Sequence, residues 1–409
     1  MAMLPNNRFE VSLFGYGVTT KALAAKIGPC TIYDDHVVKP FSDAHGNRLK
    51  PSGDFEPHRS VLEIPSPGMP PKHPLITSAQ HLMSEYDFFA DTMPYSVWIS
   101  GTNGKTTTTQ MLTHMLKDEG ALSGGNIGTP LADLDPTAAI WVLETSSFTL
   151  HYTKKAVPNL YALLPISPDH LSWHGSMESY TQAKLEPLRG MKEGEAAIIP
   201  NALLPHLPQT TAWIVGYDDA QDLAKRFGID IEKIRFKGGF LLDAVIAMAV
   251  DAILHDRRDY ERINGFVLDP HRQEEFYDAA ERLWVNDTKA TNIDATLAAM
   301  EAYKDKKVHL ILGGDDKGVD LDPLFEALKC YDVSIYAIGS NETRLIEAAH
   351  RYGIVHTACS TLDKAVVAIA EKHTEESVAL LSPAAASLDQ FSSYAERGNL
   401  FKEFVARLS

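Results

Sequence analysis

Residues 95–112 read "YSVWISGTNGKTTTTQML". β-Branched and aromatic residues run into a loop bounded by glycines, then into a lysine, four threonines and a helix-forming stretch. No other segment limits the fold as much. A strand that passes into a helix through so short a loop belongs to an α/β sheet, and the loop then lies where such sheets bind ligands. Glycines let backbone N–H groups point inward, Lys105 brings a point charge for outer phosphates, and Thr106 offers a hydroxyl to Mg²⁺. The loop is shorter than the usual GxxxxGK[ST]. The competing reading is a plain turn ahead of a helix.

Elsewhere the chain repeats the same plan. Residues 9–34 read strand, tight turn, helix, strand, with Gly15 and Gly17 in the turn and Asp34 near the spacing of a ribose-binding acid. Thr20 stands where a third glycine belongs, so a ligand site and a plain turn are both open there. Residues 64–74, "IPSPGMPPKHP", are proline-rich loop. A second block from about residue 95 offers strands "SVWIS", "AIWVLET", "LYALLPI" and "EAAIIP". A third, after "GFVLDPHRQE", offers "RLWVND", "KVHLILGG", "VSIYAIG" and "SVALLSPAAAS". Strands separated by helices imply parallel sheets with right-handed crossovers. The expectation is an α/β chain of three domains: Rossmann-like over residues 1–91, a central P-loop ATPase-like sheet over 92–268, and Rossmann-like over 269–409. With 409 residues, 44% of them apolar, the chain can bury cores of that number.

Charge and cysteines narrow the function class. A net charge of −16 argues against a basic nucleic-acid binder, without excluding anionic substrates held by local cations and helix N-termini. Cys30, Cys330 and Cys359 are scattered and form no CxxC, which suits thiols in a reducing compartment. The opening "MAMLPNNRFE" has no apolar leader core. Residues 240–254, "FLLDAVIAMAVDAIL", are interrupted by Asp243 and Asp251 and are too short to span a bilayer, so they read as a buried helix. A cytoplasmic protein without membrane insertion is expected.

Several polar residues fall at predicted strand ends. Glu144 closes "WVLE", placed to meet Mg²⁺ near the loop or else a surface acid. Asn126 lies in the glycine-rich "GGNIGTP". His170 follows the strand "LYALLPI" within "SPDHLSWHG", and Lys184 reads as a solvated helix lysine. In the third block one loop offers Asp287, Lys289, Thr291 and Asn292, a second Lys317, and a third Ser387.

Taken in order, "GTNGKTT", "GGNIG", "LETSSF", "PDHL", "PHRQE", "NDTKATN", "LGGDDKG" and "LSPAAASLDQF" resemble the Mur ligase family, from about residue 95 to the end. "GYGVTTKA" and "SPG" fit that family's uridine-diphosphate-binding domain. The resemblance implies an ATP-dependent amide ligase of peptidoglycan synthesis. It implies that Gly101, Thr102, Asn103, Gly104, Lys105, Thr106 and Thr107 hold ATP, with Arg272 and Asp287 reaching it. Two Mg²⁺ would be served by Thr106, Glu144, His170 and Lys184, the last as a carbamylated lysine. Val18, Thr19, Asp34, Asp35, Ser66 and Gly68, with Asn126 and His170, would approach UDP-N-acetylmuramoyl-L-alanine. Thr291, Lys317, Ser387 and Tyr394 would hold D-glutamate. Lys105, Asn126, His170 and Lys184 form the implied catalytic set, in a monomer whose domains close around the reaction.

The chain departs from the family pattern in places. Gly239, Phe240 and Asp243 replace an HN-x-x-N signature near adenine, Ser172 and Tyr394 stand where Asp and Phe are usual, and His36 where Arg is. The alternatives are a relative that adds another amino acid, a folylpolyglutamate-synthetase-like ligase, and a P-loop regulator without ligation.

Overall fold

The computed structural model describes residues 10–408. Residues 1–9, which hold Phe9 and all but the last residue of the opening "MAMLPNNRFE", lie outside that range. Three sheets carry the chain, each flanked by helices.

The first sheet orders its strands β3-β4-β2-β1-β5, with β1 Glu10–Phe14, β2 Thr31–Asp34, β3 Phe41–Ser42, β4 Arg48–Pro51 and β5 Ser60–Pro65. The second reads β11-β10-β9-β6-β8-β7, from β6 Tyr95–Ser100, β7 Ala121–Gly125, β8 Ile140–Glu144, β9 Leu160–Leu163, β10 Ala196–Pro200 and β11 Trp213–Tyr217. All its pairings are parallel. The third reads β12-β13-β17-β14-β15-β16, from β12 Glu274–Tyr277, β13 Leu283–Asn286, β14 Lys307–Gly313, β15 Val333–Ile338, β16 Val355–Ser360 and β17 Ser377–Leu381.

The mixed α/β class with three sheets is as the sequence indicated. Two edges depart from the all-parallel expectation: β3 pairs antiparallel with β4, and β12 with β13. Central strands are continuous apolar runs because both faces are covered; β8 and β15 are buried along their whole lengths. The long apolar stretch forms the helix Gly239–His255, buried from Asp243 to Ala252.

The chain divides into two compact units. One spans Met1–Arg235 with Leu242–Gly265 and holds the first two sheets; the other, Phe236–Leu241 with Phe266–Ser409, holds the third. Within the first unit one apolar cluster is continuous from Leu13, Ile32 and Ile64 to Trp98, Trp141 and Ile199. The short helix Glu85–Phe89 contributes to it, its Tyr86 ring meeting Trp98 edge-on at 4.8 Å. The second unit packs apolar residues on both sheet faces.

Candidate active site

β6 ends at Ser100, and its neighbours fix what surrounds the loop that follows. Ile99 stands opposite Glu144 on β8 and Ser100 opposite Leu163 on β9, so three parallel strands end at one level. Gly101 has φ +146°, and an added Cβ would lie 2.6 Å from that of Leu164. Gly104 has φ +81°, and its Cβ would collide with Oδ1 of Asp243. Neither position admits a side chain. Thr102 is pinned by its hydroxyl, which donates to the Ser167 carbonyl at 3.1 Å and meets the Tyr180 hydroxyl at 3.0 Å. Asn103 and Thr106 are half-buried; Thr107 is buried, its hydroxyl without a hydrogen-bond partner.

Two lysines converge on the mouth of this loop. Lys105 Nζ donates to the carbonyls of Gly101 at 3.1 Å and Thr102 at 2.8 Å. Lys184 Nζ donates to the same Gly101 carbonyl at 2.7 Å and to Ser100 Oγ at 3.3 Å, and lies 4.8 Å from the Tyr180 ring centre. Lys184 is 1% exposed, which corrects its reading as a solvated helix lysine. Burial, and then the nearby Lys105 charge, push its pKa well below the usual lysine value. The spacing of Lys184 on the helix Met177–Leu185 gives no hint of this, because its depth is set by tertiary packing.

Glu144 is 2% exposed. Oε1 accepts from Asn126 Nδ2 at 2.7 Å, while Oε2 is buried with no hydrogen-bond partner. A bare buried carboxylate oxygen is costly, and a hard cation satisfies it. Asn126 is held in turn by its own N–H, which donates to the Glu144 carbonyl at 2.8 Å. His170 adopts φ 53° ahead of the helix Leu171–His174; its Nε2 is 3.4 Å from Asp169 Oδ2 and its ring 4.6 Å from that of Phe148. Neighbouring His174 bonds Ser147 Oγ at 2.9 Å, and burial pushes its pKa down to about 4, so it is neutral at pH 7.

The first sheet presents its own loops. Ser66 follows β5 beside the turn after β1: a Cβ on Gly15 would sit 3.1 Å from the Ser66 Cβ, and one on Gly17 3.6 Å from its Oγ. Thr20 replaces the third glycine usefully. Its hydroxyl donates to the Gly15 carbonyl at 2.6 Å and accepts from the Gly17 N–H at 3.1 Å, closing the turn. Val18 is exposed and Thr19 half-buried at the N-terminus of the helix Val18–Ile27. Asp34 accepts from the N–H groups of Tyr16 at 2.7 Å and His36 at 2.8 Å. The Asp35 carboxylate meets Ser52 and His73, and the Ser52 hydrogen bond in particular lowers its pKa. Gly68 accepts at its carbonyl from the Trp173 indole at 3.1 Å, which ties the "SPG" loop to the segment after His170. Sequence reasoning had no signal for that tie.

The stretch lacking the HN-x-x-N signature turns out to support the phosphate loop. Asp243, 2% exposed, accepts from Thr108 Oγ1 at 2.9 Å and packs against Gly104.

In the second unit β13, β17 and β14 are adjacent, so their C-terminal loops emerge side by side. Asp315 and Ala386 exchange two backbone hydrogen bonds of 2.9 Å, joining the Lys317 loop to the Ser387 loop. Ser387 is buried, Thr291 and Lys317 are exposed, and the Lys289 ammonium lies 5.4 Å from the Tyr394 ring centre. Lys317 itself adopts φ 53°. Arg272 sits between two left-handed residues, His271 and Gln273, with its Nε buried and without a hydrogen-bond partner. Asp287 accepts from Ser382 Oγ at 2.8 Å and the Gln273 N–H at 3.2 Å, and burial pushes its pKa up to about 7. Among the described residues, no group of three or more His, Cys, Asp or Glu could by itself hold a metal ion.

Known proteins resemble this chain in sequence and fold. The Mur ligase middle domain family matches residues 99–212, the span of the phosphate loop, Glu144 and Lys184. A UDP-N-acetylmuramoylalanine–D-glutamate ligase of Campylobacter jejuni is 56% identical over 98% of this chain and 100% of its own length. One from Helicobacter pylori is 46% identical over 97% of this chain and 100% of its own. A Thermotoga maritima MurF ligase solved with ADP shares the fold at TM-score 0.58 and 16% identity, covering 92% of this chain and 94% of that one. The chain belongs to the Mur ligase family.

Proposed function

We propose that this chain joins D-glutamate to UDP-N-acetylmuramoyl-L-alanine at the expense of ATP, in peptidoglycan precursor synthesis. The observation that carries the reading is the mouth of the phosphate loop, where Lys105, the buried Lys184 and the bare oxygen of Glu144 lie at the end of three parallel strands.

The acceptor's alanyl carboxylate attacks the γ-phosphorus of ATP, giving an acyl phosphate and ADP. The amine of D-glutamate then attacks the acyl carbon through a tetrahedral intermediate and expels phosphate. Negative charge gathers in both steps. Lys105 leaves its loop carbonyls for the phosphates, and the N–H groups of the helix Lys105–Met115 offset charge beside it. Arg272, its buried Nε lacking a hydrogen-bond partner, supplies a further cation. Asn126 and His170 orient the acceptor. Mg²⁺, when bound, neutralises phosphate oxygens and polarises phosphorus, and would be held by Thr106, Glu144, His170 and a carbamate on Lys184. For that carbamate, the Lys184 amine takes up CO₂, loses a proton and becomes an anion with two oxygens. Its low pKa supports this chemistry, since only the neutral amine reacts.

The domains over residues 1–91, 92–268 and 269–409 then bind uridine diphosphate, ATP and amino acid. Val18, Thr19, Asp34, Asp35, Ser66 and Gly68 approach the diphosphate sugar. Thr291, Lys317, Ser387 and Tyr394 face D-glutamate, and Asp287 with Arg272 reaches the nucleotide. The enzyme works in the cytoplasm as a monomer, without nucleic acid or membrane partners; among the described residues no helix is long and apolar enough to cross a membrane. The deciding experiment supplies the acceptor, ATP and a panel of amino acids and reads phosphate release. Release that depends on D-glutamate supports the reading. Release with another amino acid, with a folate acceptor, or with none overturns it.

A further inference from the structure

Arg397 lies on the helix Tyr394–Ala406 and is 0% exposed, among the largest fully buried side chains. Its guanidinium meets each of the three loops above the third sheet. Nε donates to Thr288 Oγ1 at 2.8 Å; one terminal nitrogen donates to the carbonyls of Thr288 at 2.9 Å and Ala385 at 3.1 Å; the other reaches the Gly313 carbonyl at 3.4 Å. Thr288 follows β13, Gly313 ends β14, and Ala385 follows β17. Thr288 Oγ1 also donates to the Tyr394 carbonyl at 3.2 Å, so the loop and the start of the helix are tied together. Gly314, at φ +142°, is packed against the same set: a Cβ there would collide with the Ala386 carbonyl oxygen and stand 3.2 Å from a terminal nitrogen of the fork.

We propose that Arg397 is the positioning residue of the amino-acid site: its fork locks the three loops in one register and, hydrogen-bonded to no carboxylate and offset only in part through space by Asp389, leaves a positive charge beneath them that favours a dianionic amino acid. The proposal rests on the D-glutamate reading above. Every hydrogen-bond acceptor on the fork is a neutral carbonyl or hydroxyl. A buried cation without a hydrogen-bonded anion is expensive unless its surroundings are arranged for it. Here the loop carbonyls supply the dipoles, and the remaining positive field extends to whatever the loops hold. The amine that attacks must be neutral, so D-glutamate reacts as a dianion, and a field of this sign stabilises that form over its zwitterion and over neutral amino acids. A planar fork with five donors can bridge three loops at once, and an ammonium cannot.

The test uses the full-length enzyme carrying Arg397→Met, Arg397→Lys or Thr288→Val, with KM for D-glutamate and for ATP, kcat, and the preference for D-glutamate over D-glutamine. Arg397→Met should raise the D-glutamate KM roughly tenfold to a hundredfold and cut the preference over D-glutamine, with the ATP KM within about twofold. Arg397→Lys should recover part of the preference but little of the affinity. Thr288→Val keeps the shape but removes the hydroxyl that Nε uses, and should raise the D-glutamate KM severalfold; it carries the test should Arg397→Met not fold. Equal changes in both KM values, or lowered melting temperature with D-glutamate kinetics unchanged, overturn the proposal. Failure of the unmodified enzyme to use D-glutamate overturns the underlying reading instead.

Discussion

Lys184 shows how far one residue's chemistry depends on depth. As an ammonium it would place a second cation on the Gly101 carbonyl that already receives Lys105. Lys184→Ala should be almost inactive, and short carboxylates that enter the vacated space should restore part of the rate. Retained activity, or absence of any rescue, returns Lys184 to a packing role. Lys105→Ala should lower kcat by roughly a hundredfold or more while the melting point stays close to the parent, because its two bonds go to carbonyls that water can serve. Near-normal turnover in a folded variant would remove this loop as the ATP site. At Glu144 the unsatisfied oxygen gives a stability readout: millimolar Mg²⁺ should raise the melting temperature of the parent and not of Glu144→Gln. Equal shifts in both would place the ion elsewhere. Residue types and their order in the sequence pointed to Lys105, Glu144 and His170. They could not point to Arg397 or Asp243, whose roles come from where a distant helix packs.

At the scale of elements, the phosphate loop is held from behind. Gly104→Ala must accept φ +81° and displace the Asp243 carboxylate, at a cost of roughly 1–3 kcal/mol with a raised KM for ATP. Unchanged stability and affinity would show that the loop relaxes freely. In the third sheet, His309 on β14 and His373, which follows the helix Leu362–Ala370, are both buried, with rings 5.6 Å apart. His309 Nδ1 meets the Tyr336 hydroxyl at 3.2 Å, and His373 meets Ser377 Oγ at 2.6 Å and the Leu283 carbonyl at 2.9 Å. Burial is the chief cause that lowers each pKa to about 4. With an unfolded value near 6.5, their stabilisation is complete above about pH 6.5 and is lost as pH falls through about 4. Denaturant titrations across that window should show the second unit weakening on the order of 2 kcal/mol, with a flatter profile for His309→Phe. Identical profiles would clear His309 of any part. The central strands were legible as unbroken apolar runs. Strands β3, β4, β7, β11, β12 and β16 were not, since short half-polar segments become strands only when a neighbour offers its backbone.

At the scale of the molecule, three sheets were foreseeable from alternating strand and helix patterns, but core continuity was not. Leu13 and Trp98 belong to one cluster although the pattern places them in separate blocks. Calorimetry of the full chain should therefore resolve two transitions, one for the first two sheets together and one for the third. Three separate transitions would show that the shared cluster does not couple its sheets.

The same cluster bears on how such a chain can be recombined. A graft made between the first two sheets would cut through interdigitated side chains, with Tyr86 and Trp98 on opposite sides of the seam. Donor and recipient would each have to supply a matching half of a jigsaw. A graft made after Gly265 spares that cluster, but it parts Phe236–Leu241 from the unit they pack with, so those six residues have to travel with the third sheet. The third-sheet unit is thus exchangeable between relatives only as two segments, whereas the first two sheets move as one piece.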